Sequence, residues 1–266
     1  MIYLKTEEEI ELLRKANLLV SATLTEIAKF VRPGVTTRQL DTLAEQFIRD
    51  HGAIPTFKGF PASFPDAEAF PASICTSVNN VVIHGIPDDT PLKDGDIVSV
   101  DCGTLLDGFC GDSCYTFCVG EVSDEVKALL RTTKESLYRG IEAAYAGRRL
   151  GDIGAAVQQH CEAQGYGVVR EFVGHGIGRD MHEDPAVPNY GKQGTGKQLK
   201  NGLCIAIEPM ITLGSHEIAL LPDRWGVTTR DMKAAAHFEH TIAIHHGKPD
   251  ILSTFETIEA VEGKLY

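Results

Sequence analysis

The segment Ser99-Val-Asp-Cys-Gly-Thr-Leu-Leu-Asp-Gly-Phe-Cys-Gly-Asp112 contains one carboxylate on each side of an Asp-Gly pair. An Asp-Gly pair is typical of a two-residue hairpin turn, which would pair Gly103 with Asp112. Because side chains alternate between the faces of a strand, Asp101 would then lie diagonally across from Asp112 on the same face. Two carboxylates this close repel each other unless a proton or a cation lies between them. The segment therefore predicts a hairpin with a candidate cation site, and the alternative is a solvated hairpin with polar ends.

The composition is that of an ordinary globular protein. The chain has 266 residues, of which 43% are hydrophobic, and a formal net charge of −12. This length can bury one sizeable core, and the acidic balance argues against a nucleic-acid or anionic-membrane partner. The first residues lack the basic start and apolar centre of a signal peptide, and no apolar run approaches the length of a membrane span.

The cysteines indicate a reducing environment. There are seven, an odd number, and no two of them form a Cys-x-x-Cys pair. Disulfides and a structural zinc site are therefore not expected. We expect a cytoplasmic protein with buried, inert thiols.

Capping signals and apolar periodicity predict four helices. Thr6 with Glu9 forms a capping box, and Thr36 with Gln39 forms a second one. The predicted helices cover 6–31, 36–50, 123–145 and 152–163. Strands are predicted within 72–119 and over 168–173, 203–208 and 238–244.

A faint internal repeat relates two parts of the chain. The spacing from Gly34 to Gly52 recurs from Gly147 to Gly165 at an offset of 113 residues. In both places a long helix ends, a second helix runs to a glycine, and strands follow. The repeat predicts two similar halves, roughly 1–120 and 121–266, with a cleft between them.

Three further polar side chains invite chemistry. His175 lies between glycines in Gly174-His-Gly-Ile-Gly178, while Glu208 and Glu239 interrupt apolar strands. Buried carboxylates are costly unless they are paired, and independent acids would each need a separate partner. Four carboxylates and one imidazole are a sensible ligand set for two divalent ions such as Mn, Fe(II), Co or Zn. The candidate ligands are Asp101, Asp112, His175, Glu208 and Glu239.

Two other motifs are incomplete. The segment 191–198 nearly forms a phosphate-binding loop, but Gln198 replaces the hydroxyl that would hold magnesium. His182-Glu-Asp-Pro185 resembles the start of a zincin helix, but Ala186 occupies the position of the second histidine. Neither function is expected.

The ordered motifs of the chain resemble those of the type I methionine aminopeptidases over nearly its whole length. They are His84 in Val-Val-Ile-His-Gly-Ile-Pro, Asp101, Asp112, His175 in Gly-His-Gly-Ile-Gly, His182, Glu208 in Ile-Glu-Pro-Met and Glu239 in Phe-Glu-His-Thr. The resemblance implies the pita-bread fold, an α+β fold in which a pseudo-twofold pair of helix–helix–strand halves surrounds a curved antiparallel sheet and a central metal cleft. It also implies a single catalytic metallopeptidase domain.

The resemblance implies a role for each of these residues. Two divalent ions would be held by Asp101, Asp112, His175, Glu208 and Glu239, and they would activate a hydroxide for attack on the scissile carbonyl. Asp112 and Glu239 would bridge the ions, and Glu208 would also relay protons. His182 would hydrogen-bond the carbonyl and its developing oxyanion. His84 would contact the substrate near the scissile amide and shuttle or position a proton.

The resemblance also implies a substrate. The chain would remove the N-terminal methionine of nascent polypeptides with a small second residue, as a monomer, with ribosome association left open. The methionine pocket would comprise Phe60, Phe70, Cys75, His84 and Trp225.

The chain departs from common family members at two places. Residues 62–69 resemble an insertion within the proline- and aromatic-rich loop 55–71, which we interpret as an ordered loop and candidate pocket rim. Gly103 replaces a threonine that some members carry, and its lack of a side chain would leave a small gap for water next to Asp101.

Three alternatives share this fold. Proline-specific peptidases and creatinase-like hydrolases usually carry a large N-terminal domain, whereas this chain begins with the first helix. Type II methionine enzymes carry a helical insertion, for which the 30 residues between Glu208 and Glu239 leave no room. A catalytically inactive binding protein would have lost metal ligands, all five of which are present.

Overall fold

A computed structural model of the chain describes residues 1–62 and 67–263. The helices within these residues are α1 (Glu7–Ala28), α2 (Thr37–Asp50), α3 (Asp124–Glu142), α4 (Leu150–Ala163) and α5 (Glu256–Glu262). The strands are β1 (Ile54–Pro55), β2 (Ile74–Val78), β3 (Val81–Ile83), β4 (Ile97–Leu106), β5 (Phe109–Cys118), β6 (Gly167–Val168), β7 (Gly174–Gly176), β8 (Glu183–Val187), β9 (Cys204–Ile207), β10 (Met210–Thr212), β11 (Ile218–Leu220), β12 (Val227–Thr229), β13 (Ala235–His237), β14 (Glu239–His245) and β15 (Lys248–Ile251). No helix in the described part of the chain is both long enough and apolar enough to span a bilayer.

The first two helices begin where their capping boxes predict. The Thr6 hydroxyl accepts a hydrogen bond from the Glu9 amide, and the Glu9 carboxylate accepts one from the Thr6 amide. Thr36 and Gln39 make the same reciprocal pair before α2. Each pair satisfies amide groups that a helix start would otherwise leave without a partner. The first and third helices are three residues shorter at their C-terminal ends than predicted.

The element boundaries reproduce the internal repeat. Both ends of α4 lie 113 residues after the corresponding ends of α2, and β6 follows β1 at the same offset. Gly34 and Gly147 both have φ of 90°, so each supplies the left-handed turn that ends a long helix and leads to the next. The repeat therefore extends to backbone conformation, and the division into two halves stays a prediction.

The hairpin turns as its Asp-Gly pair predicts. Asp107 and Gly108 have φ of 52° and 80°, the two positive values of a type I′ turn. The register pairs Gly103 with Asp112 and places Cys114, not Asp112, opposite Asp101. The predicted diagonal relation of the two aspartates is confirmed.

The main sheet connects this hairpin to the later part of the chain. The main sheet has the strand order β1-β4-β5-β14-β9-β7-β8, with β2 also paired to β4 and β15 also paired to β14. The β5–β14 pairing joins the early and late parts of the chain, and Glu239 lies opposite Cys114. Helix and sheet side chains share one buried core that includes Leu24, Tyr115 and Leu137. All seven cysteines are buried and free, as expected.

The strand predicted over 168–173 is wrong beyond Val168. The Val169 amide still donates to the Met210 carbonyl over 3.1 Å, but the backbone then leaves the sheet. This bend brings Phe172 to 5.6 Å from His84, measured between ring centroids. The segment Val168-Val-Arg-Glu-Phe-Val173 contains the β-branched and aromatic residues typical of a strand, but composition alone does not distinguish a strand from a loop that carries a pocket residue.

Candidate metal centre

Neighbouring strands bring the five candidate ligands together. Asp101 lies on β4, Asp112 on β5, His175 on β7, Glu208 directly after β9, and Glu239 at the start of β14. These strands are contiguous in the main sheet, although their residues are far apart in sequence. Pro209 follows Glu208 and disfavours a helical conformation at that residue, which keeps it extended at the end of its strand.

The imidazole of His175 faces the carboxylates. Its Nε2 atom lies 3.5 Å from Asp112 Oδ2 and 3.7 Å from Glu208 Oε1. Its Nδ1 atom lies 2.9 Å from the Gly176 carbonyl oxygen, which can only accept, so Nδ1 carries the proton. The Nε2 lone pair is therefore directed toward the carboxylates, the orientation that a metal-binding histidine needs. Ligand atoms of Asp112, His175 and Glu239 all lie within 4.8 Å of one another.

The carboxylates repel one another in the absence of a cation. Burial raises the pKa of Asp112 to about 8. Burial, and then the charge of Asp112, raise the pKa of Asp101 well above its usual range. The pKa values of Glu208 and Glu239 are also raised by burial and then by neighbouring carboxylates. A divalent cation would reverse this repulsion.

Unpaired oxygens show that the residues fit a metal ion. Asp101 Oδ1, Asp112 Oδ1 and Glu239 Oε1 are buried and have no hydrogen-bond partner. A buried polar atom without a partner is costly, so such atoms need an explanation. Carboxylate oxygens with one imidazole nitrogen form a donor set suited to Mn, Fe(II), Co or Zn.

Hydrogen bonds fix the backbone that carries the candidate ligands. The Asn17 side chain accepts from the Asp112 amide over 3.1 Å, and Asn189 donates to the Glu208 carbonyl over 2.9 Å. The Ser113 hydroxyl donates to the Glu239 carbonyl over 2.7 Å. These groups hold the candidate ligands in place through the main chain.

An apolar cavity of about 340 Å³ opens above the carboxylates. All the predicted pocket residues line it, namely Phe60, Phe70, Cys75, His84 and Trp225. Five further residues that were not predicted as pocket residues also line the cavity, namely Phe57, Pro61, Phe172, Leu220 and Arg224. Phe57 and Pro61 belong to the loop 55–71, which was predicted as a pocket rim, although only Phe60 and Phe70 of that loop were assigned to the pocket.

His84 and His182 also line this cavity. The ring centroid of His182 lies 4.4 Å from that of His175 and 5.3 Å from that of Phe60. His84 has φ of 56°, an uncommon value for a residue with a side chain, and such values recur at functional sites. Burial, and then the charge of His182, lower the pKa of His84 to about 4, so His84 is neutral at pH 7.

His237 is a site residue that sequence reasoning missed. Its Nε2 atom lies 3.7 Å from Glu208 Oε2, is buried, and has no hydrogen-bond partner. Burial, and then the charge of His84, lower the pKa of His237 to about 3. The available signal was its position two residues before Glu239, on the same side of an extended strand.

The predicted insertion is anchored to the pocket. The Gly59 amide donates to the Phe70 carbonyl, and the Phe70 amide donates to the Phe60 carbonyl. These two hydrogen bonds close the base of the loop. The Trp225 indole donates to the Glu68 carbonyl over 3.0 Å. The described part of the insertion is thus a pocket rim that orients Trp225. Residues 63–66, also within the predicted insertion, lie outside the described residues.

The predicted water gap at Gly103 is wrong. A Cβ atom there would lie 2.3 Å from Thr56 Oγ1 and 2.4 Å from Met181 Cε. Side chains from two distant segments therefore fill the space that the glycine leaves. Its lack of a side chain allows close packing instead of hydration.

Replacing Gly103 by alanine is expected to lower the free energy of unfolding by about 1–3 kcal/mol, because the added methyl overpacks this contact. Urea denaturation of the metal-free protein would measure the change. The cost should shrink in a Thr56→Ala background, which removes the nearest atom. A stabilising effect of the single substitution would instead indicate a real gap.

The fold and the site together define a metal-dependent hydrolase. The sequence matches the model of metallopeptidase family M24 over residues 11–246, and the chain belongs to this family. A methionine aminopeptidase of Clostridium perfringens is 52% identical to it over 95% of this chain and 99% of that protein. Methionine aminopeptidase 1 of Bacillus subtilis is 48% identical over 95% of this chain and 99% of that protein.

Solved structures agree with this assignment. The crystal structure of methionine aminopeptidase from Rickettsia prowazekii matches 96% of this chain and 100% of that chain with a TM-score of 0.92 and 43% identity. The Xaa-Pro dipeptidase of Bacillus anthracis matches 94% of this chain and 62% of that chain with a TM-score of 0.73 and 24% identity, a likeness of fold alone. The expected pita-bread fold and the resemblance to methionine aminopeptidases are confirmed.

Proposed function

We propose that this chain hydrolyses the N-terminal methionine from peptides and nascent polypeptides, with preference for a small second residue. The observation that carries the proposal is the floor of the cavity, where Asp101, Asp112 and Glu239 each have a buried carboxylate oxygen without a hydrogen-bond partner and Asp112 Oδ2 lies 3.5 Å from His175 Nε2. The names and high identity of the relatives support the same activity.

We infer two divalent ions at this centre, held by Asp101, Asp112, His175, Glu208 and Glu239. Asp112 and Glu239 would be shared by both ions, as the resemblance implies, and one carboxylate oxygen of each lies within 4.8 Å of the other and of a His175 ring nitrogen. Such ions polarise a carbonyl and make water more acidic. The donor set accommodates Co, Mn, Fe(II) or Zn.

The surrounding side chains would handle protons and orient the substrate. Glu208 lies 3.7 Å from both His175 and His237 at the floor of the cavity, so its carboxylate is placed to relay a proton there. His182, at the cavity edge, would donate a hydrogen bond to the scissile carbonyl oxygen, a contribution worth about 3–4 kcal/mol in comparable sites. Neutral His84 would accept or donate at the scissile amide.

The apolar cavity would hold the methionine side chain. Phe70 and Trp225 meet edge to face with their ring centroids 5.1 Å apart, and Cys75 is buried next to the carboxylates. A thioether packs favourably against aromatic rings, which suits methionine over a polar residue. The monomeric state, cytoplasmic location and contact with the ribosome stay predictions.

Peptide cleavage after chelation and metal add-back tests this proposal. Metal-dependent release of methionine from Met-Ala-Ser, with little release from Met-Lys-Ser, is expected. Cleavage of an X-Pro peptide alone would assign the chain to the proline-specific branch of the fold. Failure to cleave any of these peptides in the metal-loaded protein would favour a binding protein.

Arg224 is expected to determine which residue is preferred at the third position of the peptide substrate. Among the described residues that line the cavity, it is the one arginine, and no lysine accompanies it. It is exposed at the rim next to Trp225. Attraction for a carboxylate there should raise kcat/KM for Met-Ala-Glu over Met-Ala-Lys several-fold at low salt. Peptide kinetics would measure this ratio.

The matched variant is Arg224→Gly, because φ at Arg224 is 64° and glycine adopts it without strain. The ratio should approach one in this variant, with turnover of Met-Ala-Ser retained. An unchanged ratio would remove Arg224 from substrate recognition.

A further inference from the structure

We propose that Glu7, His245 and His246 form a second divalent-cation site, separate from the candidate metal centre and suited to Zn²⁺, Ni²⁺ or Cu²⁺. Glu7 begins α1, His245 ends β14, and His246 lies in the turn before β15. The Nε2 atom of each histidine lies 3.9 Å from Glu7 Oε1. One ligand atom from each of the three residues lies within 4.8 Å of the others.

The turn places both imidazoles on one side of the hairpin. Consecutive residues of a strand normally point in opposite directions. His246 instead has φ of 48°, and the His245 and His246 rings stack with their centroids 4.0 Å apart at 28°. The Gly247 amide donates to Asn201 Oδ1 over 2.7 Å, which anchors the turn. The backbone is thus shaped to direct two imidazoles toward one carboxylate.

A second carboxylate fixes the His245 ring. Its Nδ1 atom lies 3.4 Å from Asp250 Oδ2, and the same oxygen accepts a hydrogen bond from Arg14 over 2.7 Å. A carboxylate on one ring nitrogen is the usual support of a metal-bound histidine, because it keeps the proton there and frees the other nitrogen. That other nitrogen, His245 Nε2, is buried and has no hydrogen-bond partner.

The donor set selects the class of cation. Two imidazoles and one carboxylate, with water completing the shell, suit Zn²⁺, Ni²⁺ or Cu²⁺ better than oxygen-preferring Ca²⁺ or Mg²⁺. Metal–nitrogen bonds of about 2.0–2.1 Å require the ligand atoms to approach more closely than they now do. The side chains of Glu7 and His246 are 73% and 76% exposed, so both can move inward.

Binding would link the start of α1 to the β14–β15 hairpin. Glu7 and His245 are far apart in sequence, and a shared ion would hold the first turn of α1 against the β14–β15 hairpin. A ligand that binds only the folded state stabilises it by mass action. The consequence is a thermal stability that responds to Zn²⁺ at a site unrelated to catalysis.

Zinc titration of the metal-free full-length protein tests the inference, with calorimetry for stoichiometry and thermal unfolding for stability. His246→Asn is the main variant, because asparagine tolerates a positive φ. It should bind one Zn²⁺ fewer per chain than wild type, with a smaller rise in Tm. Glu7→Gln should bind at this site at least about 10-fold more weakly.

Two controls separate this site from the candidate metal centre. His51→Asn, which changes another exposed histidine, should keep the wild-type stoichiometry. Metal-dependent methionine release should be unchanged in His246→Asn. Equal zinc stoichiometry and affinity in wild type, His246→Asn and Glu7→Gln would overturn the inference, whatever the result for peptide cleavage.

Discussion

Asp101→Asn is expected to lower kcat/KM for Met-Ala-Ser on the order of 1,000-fold, equivalent to about 4 kcal/mol of transition-state stabilisation. The substitution keeps the shape of the side chain but removes one ligand charge, so a metal position should lose most of its occupancy. Peptide kinetics at saturating metal would measure the loss, and circular dichroism would establish that the fold is retained.

Asp107→Asn provides a matched control on the same hairpin. Asp107 is exposed at the turn and has φ of 52°, a conformation that asparagine also adopts. This variant should retain wild-type turnover. Turnover close to wild type in Asp101→Asn as well, with saturating metal, would remove Asp101 from the set of ligands.

The metal-free protein is expected to lose stability as the pH rises from about 6.5 to 8. Burial raises the pKa of Asp112 to about 8, and it also raises the pKa values of Asp101, Glu208 and Glu239. These groups retain protons in the folded state at pH values where the unfolded chain has released them. Each such proton lowers the free energy of unfolding by about 1.4 kcal/mol per pH unit until the folded-state pKa is passed.

The lower limit of this window comes from the buried histidines. Burial lowers the pKa of His84 to about 4 and of His237 and His240 to about 3, so they destabilise the fold as pH falls below about 6.5. Urea denaturation between pH 6.5 and 8 would isolate the carboxyl effect. Asp112→Asn should reduce the slope of the unfolding free energy against pH. Metal added to the wild-type protein should reduce this slope as well. A stability that does not change with pH in the metal-free wild type would contradict the raised pKa values of the buried carboxyl groups.

Local chemistry explains what the sequence predicted well. The Asp-Gly turn determines the register of β4 and β5, and a strand period of two then places Asp101 and Asp112 on one face without tertiary information. Capping boxes define the starts of α1 and α2 in the same way. The convergence of His175, Glu208 and Glu239 on this hairpin was predicted from the cost of burying unpaired polar groups.

Long-range packing explains what was missed. Gly103 appeared to leave a gap because its neighbours, Thr56 and Met181, come from distant segments that no local pattern places beside it. Phe172 lies in a segment whose β-branched and aromatic residues are typical of a strand, but the backbone leaves the sheet there and Phe172 lines the cavity. His237 faces Glu208 only because β13 leads directly into β14 beside the end of β9.

Anomalous diffraction from crystals grown with Mn²⁺ or Co²⁺ is the most direct test of the central claim, that five side chains of the main sheet hold a two-metal centre. Two anomalous peaks are predicted among Asp101, Asp112, His175, Glu208 and Glu239, with Asp112 and Glu239 contacting both. Absence of peaks at these residues in protein that releases methionine in a metal-dependent manner would contradict the claim.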